Sequence, residues 1–449
     1  MTLPDRSSLP RRDYLRALVA VGGTTALSAC LEFASDGADG DPDVPTGTDD
    51  PESLPDRQHA WNEALGTDDD GNVQPPEHHV LVALSLRDDV LEDTGGGDGN
   101  GDGDPIDADA RETTESALRT LERAYEWSND GLVFTLGYTP AYFHRFDASL
   151  SDAVDLPDPE ALTAQEAPEF DDFDAVLHLA SDRPEVVLEA EEWLFGERDQ
   201  LNGLEIETDL TGVFERLEER RRTGFVGAGL PAEHTDVPGV PESVPEEAPF
   251  FMGFRSGFRA SQATEDRVTI ESGPFAGGTT QHVESLEINL EQWFQQENHT
   301  QRVSKLFSRE HAEEGLTGDV GEELTTANGL TTERIDATEA DAREHNVVGH
   351  AQKAARARED GEPPLLRRDF NTVDGDRPGV HFLALQRGID DFVRTREAMT
   401  GADLDVPMAN NGIRHYIFVE RRGNYLVPPR SLRALPPATP ESEADNDAD

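Results

Sequence analysis

The chain has 449 residues, enough for one large α+β unit with tails or for two or three average domains. Its 93 acidic against 38 basic residues give a formal net charge of -55, which excludes a surface that binds nucleic acid or anionic lipid headgroups. The single cysteine excludes an intrachain disulfide and a thiolate zinc cluster. Because the acids are interleaved with periodic apolar segments, a folded, acidic protein of a halophilic organism is favoured over a disordered acidic chain.

The N-terminus has the parts of an export signal. Arg11 and Arg12 precede a mostly apolar run, residues 15–29, that ends in Leu-Ser-Ala-Cys at Cys30. This pattern predicts a twin-arginine signal with a lipobox over residues 1–30, in which Cys30 becomes the lipidated first residue. The run is too short to span a bilayer as a mature anchor. We therefore expect export and lipid anchoring on the outer face of the cell membrane; a cytosolic protein with an arginine-rich start is the alternative.

Three segments have the composition of solvated polar chain. Residues 31–75 are rich in Asp, Gly, Pro, Ser and Thr and predict a disordered acidic tether, and residues 437–449 predict an acidic tail. Residues 94–105 repeat Gly and Asp, the oxygen ligands that calcium binds, but lack the closing glutamate of a calcium loop. A flexible loop is therefore favoured over a calcium site.

Residues 76–250 predict one ferredoxin-like half. The expected order is a strand at 79–86, a helix at about 111–127, strands at 131–138 and 175–180, and a helix at 184–195. We interpret this half as strand, helix and strand followed by strand, helix and strand, the order of the ferredoxin-like motif.

Residues 251–436 predict a second half of the same kind. Its expected strands lie near 268–271, at 281–290 and at 379–386, followed by a helix at 389–399 and a hairpin of 414–420 with 424–427. A long excursion, 298–374, interrupts it. The fold class is therefore α+β: two ferredoxin-like halves with antiparallel sheets and helices on one face.

Several short motifs resemble those of the dye-decolourising (DyP-type) haem peroxidases. They are Gly-Leu-Val-Phe-Thr-Leu-Gly-Tyr at 131–138, Met-Gly-Phe-Arg-Ser-Gly at 252–257, Val-Val-Gly-His-Ala-Gln-Lys-Ala at 347–354 and Val-Pro-Pro at 427–429. The resemblance extends from about residue 79 to 429. It implies a dimeric α+β barrel type of fold, haem b as cofactor, hydrogen peroxide and an unknown electron donor as partners, and leaves homo-oligomerisation open.

The resemblance also implies roles for single residues. His350 matches the proximal iron ligand and Arg367 the distal arginine, with Arg368 as the alternative if the register differs by one. A neutral imidazole can hold haem iron, and an arginine can stabilise a departing oxyanion. Gly253 and Gly257 fall in the signature that the family writes Gly-x-x-Asp-Gly, and so are expected to contribute to the cofactor site.

The chain departs from that signature at Ser256, where the family has aspartate. A hydroxyl does not move protons as a carboxylate does, so three interpretations stay open. Peroxidase activity is weakened and rests on the arginine, or a nearby acid (Glu265, Asp266 or Glu271) substitutes, or haem is bound for another purpose. The alternative functions are a non-catalytic haem-binding or haem-delivery lipoprotein and a relative that has lost haem.

Four aromatic residues near the predicted second half raise the question of electron relay to a donor. They are Trp293, Phe294, Tyr416 and Tyr425. Core packing is favoured for all of them.

Overall fold

The structure is a computed structural model, and it describes residues 44–91, 104–205 and 208–440. The strands are β1 His78–Leu86, β2 Val133–Tyr138, β3 Glu169–Phe170, β4 Ala175–Ser181, β5 Gln200–Leu201, β6 Leu204–Glu205, β7 Phe214–Arg216, β8 Arg222–Phe225, β9 Thr279–Ile288, β10 Leu366–Arg367, β11 Phe370–Thr372, β12 Gly379–Gln386 and β13 Ile417–Val427. The α-helices are α1 Ala108–Ala124, α2 Pro140–Phe143, α3 Pro184–Leu194, α4 Glu265–Val268, α5 Leu290–Gln296, α6 His299–Leu306, α7 Arg309–Glu314, α8 Thr332–Asp336, α9 Thr338–His345, α10 His350–Ala354 and α11 Ile389–Thr400. No helix in these ranges is both long and apolar enough to cross a bilayer.

The first half has the ferredoxin-like strand order β8-β1-β4-β2, all antiparallel. Strands β2 and β4 are covered on both faces, because every one of their residues is buried. Helices α1 and α3 bury one side in the largest core cluster, through Leu118 and Leu121 of α1 and Val187 and Ala190 of α3. The sequence periodicity predicted β1, β2, β4, α1 and α3, with end shifts of a few residues, but it did not predict β8.

The second half repeats that order as β13-β9-β12-β11, again antiparallel. Helix α11 packs on β9 and β12. Helices α5 to α10 lie between β9 and β10. The predicted excursion, 298–374, holds α6 to α10, but its last part also forms β10 and β11, which the sequence did not predict and which pair with β12.

The two halves close into a ring of eight antiparallel strands. At one seam β8 meets β11 through Phe225 and Asn371, and at the other β2 meets β13 through Tyr138 and Leu426. The predicted fold class, two ferredoxin-like halves forming an α+β barrel, is confirmed.

Two local predictions in the second half are wrong. Residues 268–271 are not a strand, because Thr264 caps the short helix α4 by accepting a hydrogen bond from Arg267 N. Residues 414–427 are not a hairpin, because β13 runs continuously with an irregularity between Val419 and Arg421. Gly423 allows a close approach within this strand, since a Cβ there would meet the Asp171 carboxylate.

The prediction of a disordered tether is wrong for residues 44–75. Trp61 is buried, and the side-chain amide of Gln58 bonds Leu136 O at 3.2 Å, Pro428 O at 2.8 Å and Leu136 N at 2.9 Å. These polar contacts with distant backbone give an acidic, loop-like segment a fixed place on the barrel. Residues 31–43 lie outside the described residues.

The other two polar segments are only partly described. Asp104 pairs with Arg111 at 2.6 Å, while residues 94–103 lie outside the described ranges. Ala438 is buried, so the first residues of the predicted acidic tail pack on the body, and residues 441–449 lie outside the description.

Candidate functional site

A cavity of about 560 Å³ lies against the second half of the barrel. Strands β9, β12 and β13 form its floor with Leu286, Ile288, Val380, Phe382 and Val419. The loop at 250–258 and helices α10 and α11 form its walls. Its volume is within the range of small-molecule and cofactor sites, and most of its lining is apolar.

His350 lines this cavity from the first position of α10. The preceding Gly349 lets the helix start lie against the chain at Phe307, because a Cβ at 349 would overlap the Phe307 carbonyl. Burial, reinforced by the charges of Lys353 and Arg367, lowers the imidazole pKa to about 3. The imidazole is therefore neutral at physiological pH, the form that binds a metal.

The other histidine nearby, His345, ends α9 and is exposed. A left-handed Asn346 turns the chain between the two helices, so His345 does not line the cavity. Within the described part of the chain, no cluster of three or more His, Cys, Asp or Glu side chains is arranged to hold a metal ion. His350 therefore lines the cavity without a cluster of other metal-binding side chains among the described residues.

Strand alternation decides between the two adjacent arginines. Side chains two residues apart share a face of an extended chain, and Arg367, Asp369 and Asn371 all line the cavity. Arg368 lies on the opposite face, where its guanidinium stacks 4.1 Å from the Trp61 ring and donates to His59 O at 2.7 Å. Arg368 therefore does not belong to the cavity with His350, and the prediction that it could replace Arg367 is wrong.

Ser256 lines the cavity wall and is exposed at its rim. Gly253 and Gly257 have φ angles of 91° and 82°, the left-handed region that favours glycine. Neither glycine lines the cavity; they shape the loop that brings Phe254 and Arg255 to it.

The three acids considered as substitutes for the missing aspartate lie elsewhere. Glu265 accepts hydrogen bonds from Trp61 N at 2.7 Å and from Arg368 at 3.1 Å. Asp266 is exposed, and Glu271 pairs with an exposed arginine. None of the three lines the cavity, so none is placed to substitute for the missing aspartate there.

Sequence reasoning missed the acid that does lie beside Arg367. The carboxylate of Asp369 lines the cavity, 3.6 Å from Nη1 of Arg367, and its Oδ1 accepts Leu383 N at 3.2 Å. Burial raises the pKa of Asp369 to about 6, although the charge of Arg367 opposes the shift. The signal was present in the sequence as the Arg-Arg-Asp spacing, since an acid two residues along a strand shares the face of the arginine.

Further cationic groups line the cavity of this very acidic protein. Arg396 on α11 pairs with Glu166, and its buried Nε makes no hydrogen bond within the described residues. Arg414 donates to Thr400 O at 2.7 Å. The cavity therefore offers positive charge to an anionic ligand.

The four aromatic residues weighed for electron relay are packing residues in this structure. Trp293, Tyr416 and Tyr425 are buried, and Trp293 donates to Met252 O at 3.0 Å. Phe294 stacks with Arg302. None of the four lines the cavity. The predicted signal residues Arg11, Arg12 and Cys30 lie outside the described residues.

Comparison with solved structures finds DyP-type peroxidases. DyPB from Rhodococcus jostii RHA1 is 13% identical, with a TM-score of 0.51 over 81% of this chain and 96% of that one. The DyP-type peroxidase from Cellulomonas bogoriensis is 18% identical, with a TM-score of 0.50 over 82% and 93%. The encapsulated DyP-type peroxidase from Mycobacterium smegmatis is 14% identical, with a TM-score of 0.50 over 81% and 96%. At these identities the likeness shows the fold.

Comparison by sequence matches a family model. The model of DUF7405, a family of unknown function, matches residues 76–429. No curated protein matches the sequence.

Proposed function

The chain belongs to the DUF7405 family, and we propose that it is a haem-dependent, DyP-like peroxidase. The observation that carries the proposal is that His350 and Arg367 line one cavity, from different elements of the excursion and the barrel. The same cavity holds a carboxylate, that of Asp369. Fold likeness to DyP-type peroxidases supports the choice of haem over other cofactors.

The cavity lining fits haem. His350 would hold the haem iron through a neutral imidazole, and the apolar floor residues would contact the porphyrin. Arg396 and Arg414 offer positive charge to the carboxylates of the haem edge. No acceptor is bonded to the imidazole of His350 in the described residues, so the usual strengthening of an iron-bound histidine by a hydrogen bond is missing.

When bound, haem supplies the iron at which hydrogen peroxide is cleaved with two electrons. Arg367 contributes a fixed positive charge that orients peroxide and stabilises negative charge on the departing oxygen. The apolar side chains of Phe254 and Phe382 exclude water from the same space. Ser256, exposed at the rim, contributes neither the positive charge nor the exclusion of water.

A non-catalytic haem-binding or haem-delivery protein is the second candidate. It is favoured by one observation, the hydroxyl of Ser256 at the position of the family's aspartate. In that case the haem protein oxidises no dye with peroxide and changes little when Arg367 is replaced with alanine, whereas a peroxidase loses about 10²-fold or more in its reaction with peroxide.

Export and anchoring complete the proposal. The twin arginines Arg11 and Arg12 and the lipobox at Cys30 support secretion in the folded state and attachment to the outer face of the membrane. Replacing Cys30 with alanine should release the protein from the membrane fraction, and unchanged membrane association would contradict the anchor. Hydrogen peroxide and an electron donor are the proposed partners, and self-association is left to measurement of mass in solution.

The decisive experiment is a haem titration of the full chain at high salt. We expect a Soret band with wild type that His350→Ala abolishes. His345→Ala is the matched control, since it removes an exposed histidine five residues away. No band with wild type, or an unchanged band with His350→Ala, would overturn the proposed function; a folded protein indifferent to haem would identify it as a relative that has lost the cofactor.

A further inference from the structure

Three carboxylates line the cavity, and two of them are already paired with arginines. Glu284 accepts Arg422 Nε at 2.9 Å, and Glu166 pairs with both Arg396 and Arg422. Burial alone would raise both pKa values. The partners prevail: the imidazole of His282, 3.6 Å away, and the charge of Arg396 hold the pKa of Glu284 at about 2, and Arg396 with Arg422 lower that of Glu166. These two carboxylates stay ionised and fixed.

Asp369 differs from them in its partners. Its side chain is 12% exposed, and the closest cation is Arg367 at 3.6 Å, beyond hydrogen-bond distance. One oxygen is held by Leu383 N, which fixes the direction of the carboxyl group without neutralising it. Because 367 and 369 are two apart on an extended chain, the charge of Arg367 and the carboxylate face the same space.

We propose that Asp369 is the residue that moves the proton in the reaction with peroxide, in place of the aspartate that Ser256 replaces. The inference rests on the proposed function. The ionised carboxylate accepts one proton from hydrogen peroxide, leaving a hydroperoxide anion beside Arg367. The carboxyl group then returns the same proton to the departing hydroxide, which leaves as water, and Asp369 is ionised again. Asp369 exchanges no electrons; haem, when bound, would supply the two electrons for cleavage of the oxygen–oxygen bond and would take up the second oxygen atom.

The proton step requires Asp369 ionised at the start. Since burial holds its pKa at about 6, the fraction of competent protein rises with pH through that value. Other charged or titratable groups line the cavity from the surrounding elements: His350 on α10, Arg396 on α11, Glu284 on β9, and Arg255, Glu166, Arg414 and His415 on loops. Burial holds the pKa of His350 at about 3, and the partners of Glu284 hold its pKa at about 2.

The test compares Asp369→Asn, Asp369→Glu and the control Asp266→Asn, which removes an exposed carboxylate outside the cavity. Haem-loaded protein is mixed rapidly with hydrogen peroxide from pH 4.5 to 8. We expect the wild type and Asp266→Asn to lose rate below about pH 6, and Asp369→Asn to react about 10²-fold more slowly with no such dependence. Asp369→Glu should keep the pH dependence with a shifted midpoint.

A second measurement does not depend on turnover. Infrared titration of the haem-free protein should show a carboxyl group that ionises near pH 6 in the wild type and is missing from Asp369→Asn. If Asp369→Asn does not fold, the Asp369→Glu midpoint and this titration decide the matter.

The outcomes separate the two proposals. A normal Soret band with an unchanged peroxide rate and pH profile in Asp369→Asn overturns the role of Asp369 and leaves haem binding intact. Absence of the Soret band from the wild type overturns the proposed function, and the proton role falls with it.

Discussion

Trp61 anchors the segment 44–75 to the barrel, and its removal is the sharpest test of that assignment. The indole is 1% exposed, lies under the guanidinium of Arg368 and donates its N–H to Gln58 O at 2.9 Å. Its neighbours include the buried side chains of Val133 and Ala180. A buried tryptophan in such surroundings stabilises the fold through the apolar area that it buries, through its packing contacts and through the stacked cation.

Trp61→Ala should lower the free energy of unfolding by about 3–5 kcal/mol, the usual cost of truncating a buried tryptophan. The upper end applies because Arg368, itself buried, loses the ring that covers it. Trp61→Phe keeps most of the packing and loses the N–H donor to Gln58, so about 1 kcal/mol is expected beyond the change in volume.

Denaturant unfolding at fixed high salt measures the loss of stability in both variants. The midpoint denaturant concentration should fall while the dependence of the unfolding free energy on denaturant concentration stays the same. Phe170→Ala is the control, because this phenylalanine is 38% exposed and should cost less than about 1 kcal/mol. A loss of under about 1 kcal/mol for Trp61→Ala would refute the reasoning and return residues 44–75 to the role of a loose tether.

Four further outcomes follow from the same structure. In the wild type Arg222 lies 2.7 Å from the Asp171 carboxylate, and Asp171→Asn leaves it as a buried charge without that partner. The free energy of unfolding should fall by about 3–5 kcal/mol, as measured by thermal unfolding, and a change below about 1 kcal/mol would argue against the buried pair. Gly349→Ala should displace α10 from Phe307 and weaken haem binding at least about tenfold at an unchanged secondary-structure spectrum, whereas unchanged affinity would contradict the close contact. The Soret band should persist from pH 8 to 5, because His350 has a pKa of about 3 and stays unprotonated, and half-loss near pH 6.5 would indicate an ordinary histidine. The melting temperature should rise between about 0.1 and 1 M salt as the Debye length falls from roughly 10 to 3 Å, and a constant value would contradict a self-repelling surface of net charge -55.

The sequence predicted the repeated elements well because their signals are local. Alternating or continuous apolar runs marked β1, β4 and β12, and amphipathic spacing marked α1 and α11. Ring closure was reached by resemblance rather than by pattern, since the pairing of Phe225 with Asn371 joins residues far apart in sequence.

The site was predicted in part. His350 and Arg367 were named from their motifs, and both line the cavity. Asp369 was missed because an acid in a chain with 93 of them carries no signal by its type, and only its position on a strand face distinguishes it. The acids that the sequence suggested as substitutes for the missing aspartate were chosen because they are near Ser256 along the chain. Glu265 is one of them, but it bonds to Trp61 and does not line the cavity.

Both seams of the ring are bridged by a carboxamide side chain. At the β8–β11 seam Asn371 donates to Phe225 O and Pro249 O, at 3.0 and 2.9 Å, and accepts from the backbone at 251. At the β2–β13 seam Gln58 makes the same three kinds of bond to backbone, but from a segment that precedes both halves. Cleavage of the chain between Gln58 and β1 would therefore cut the covalent link to the bridge at the β2–β13 seam, whereas the Asn371 bridge at the other seam lies within a barrel strand.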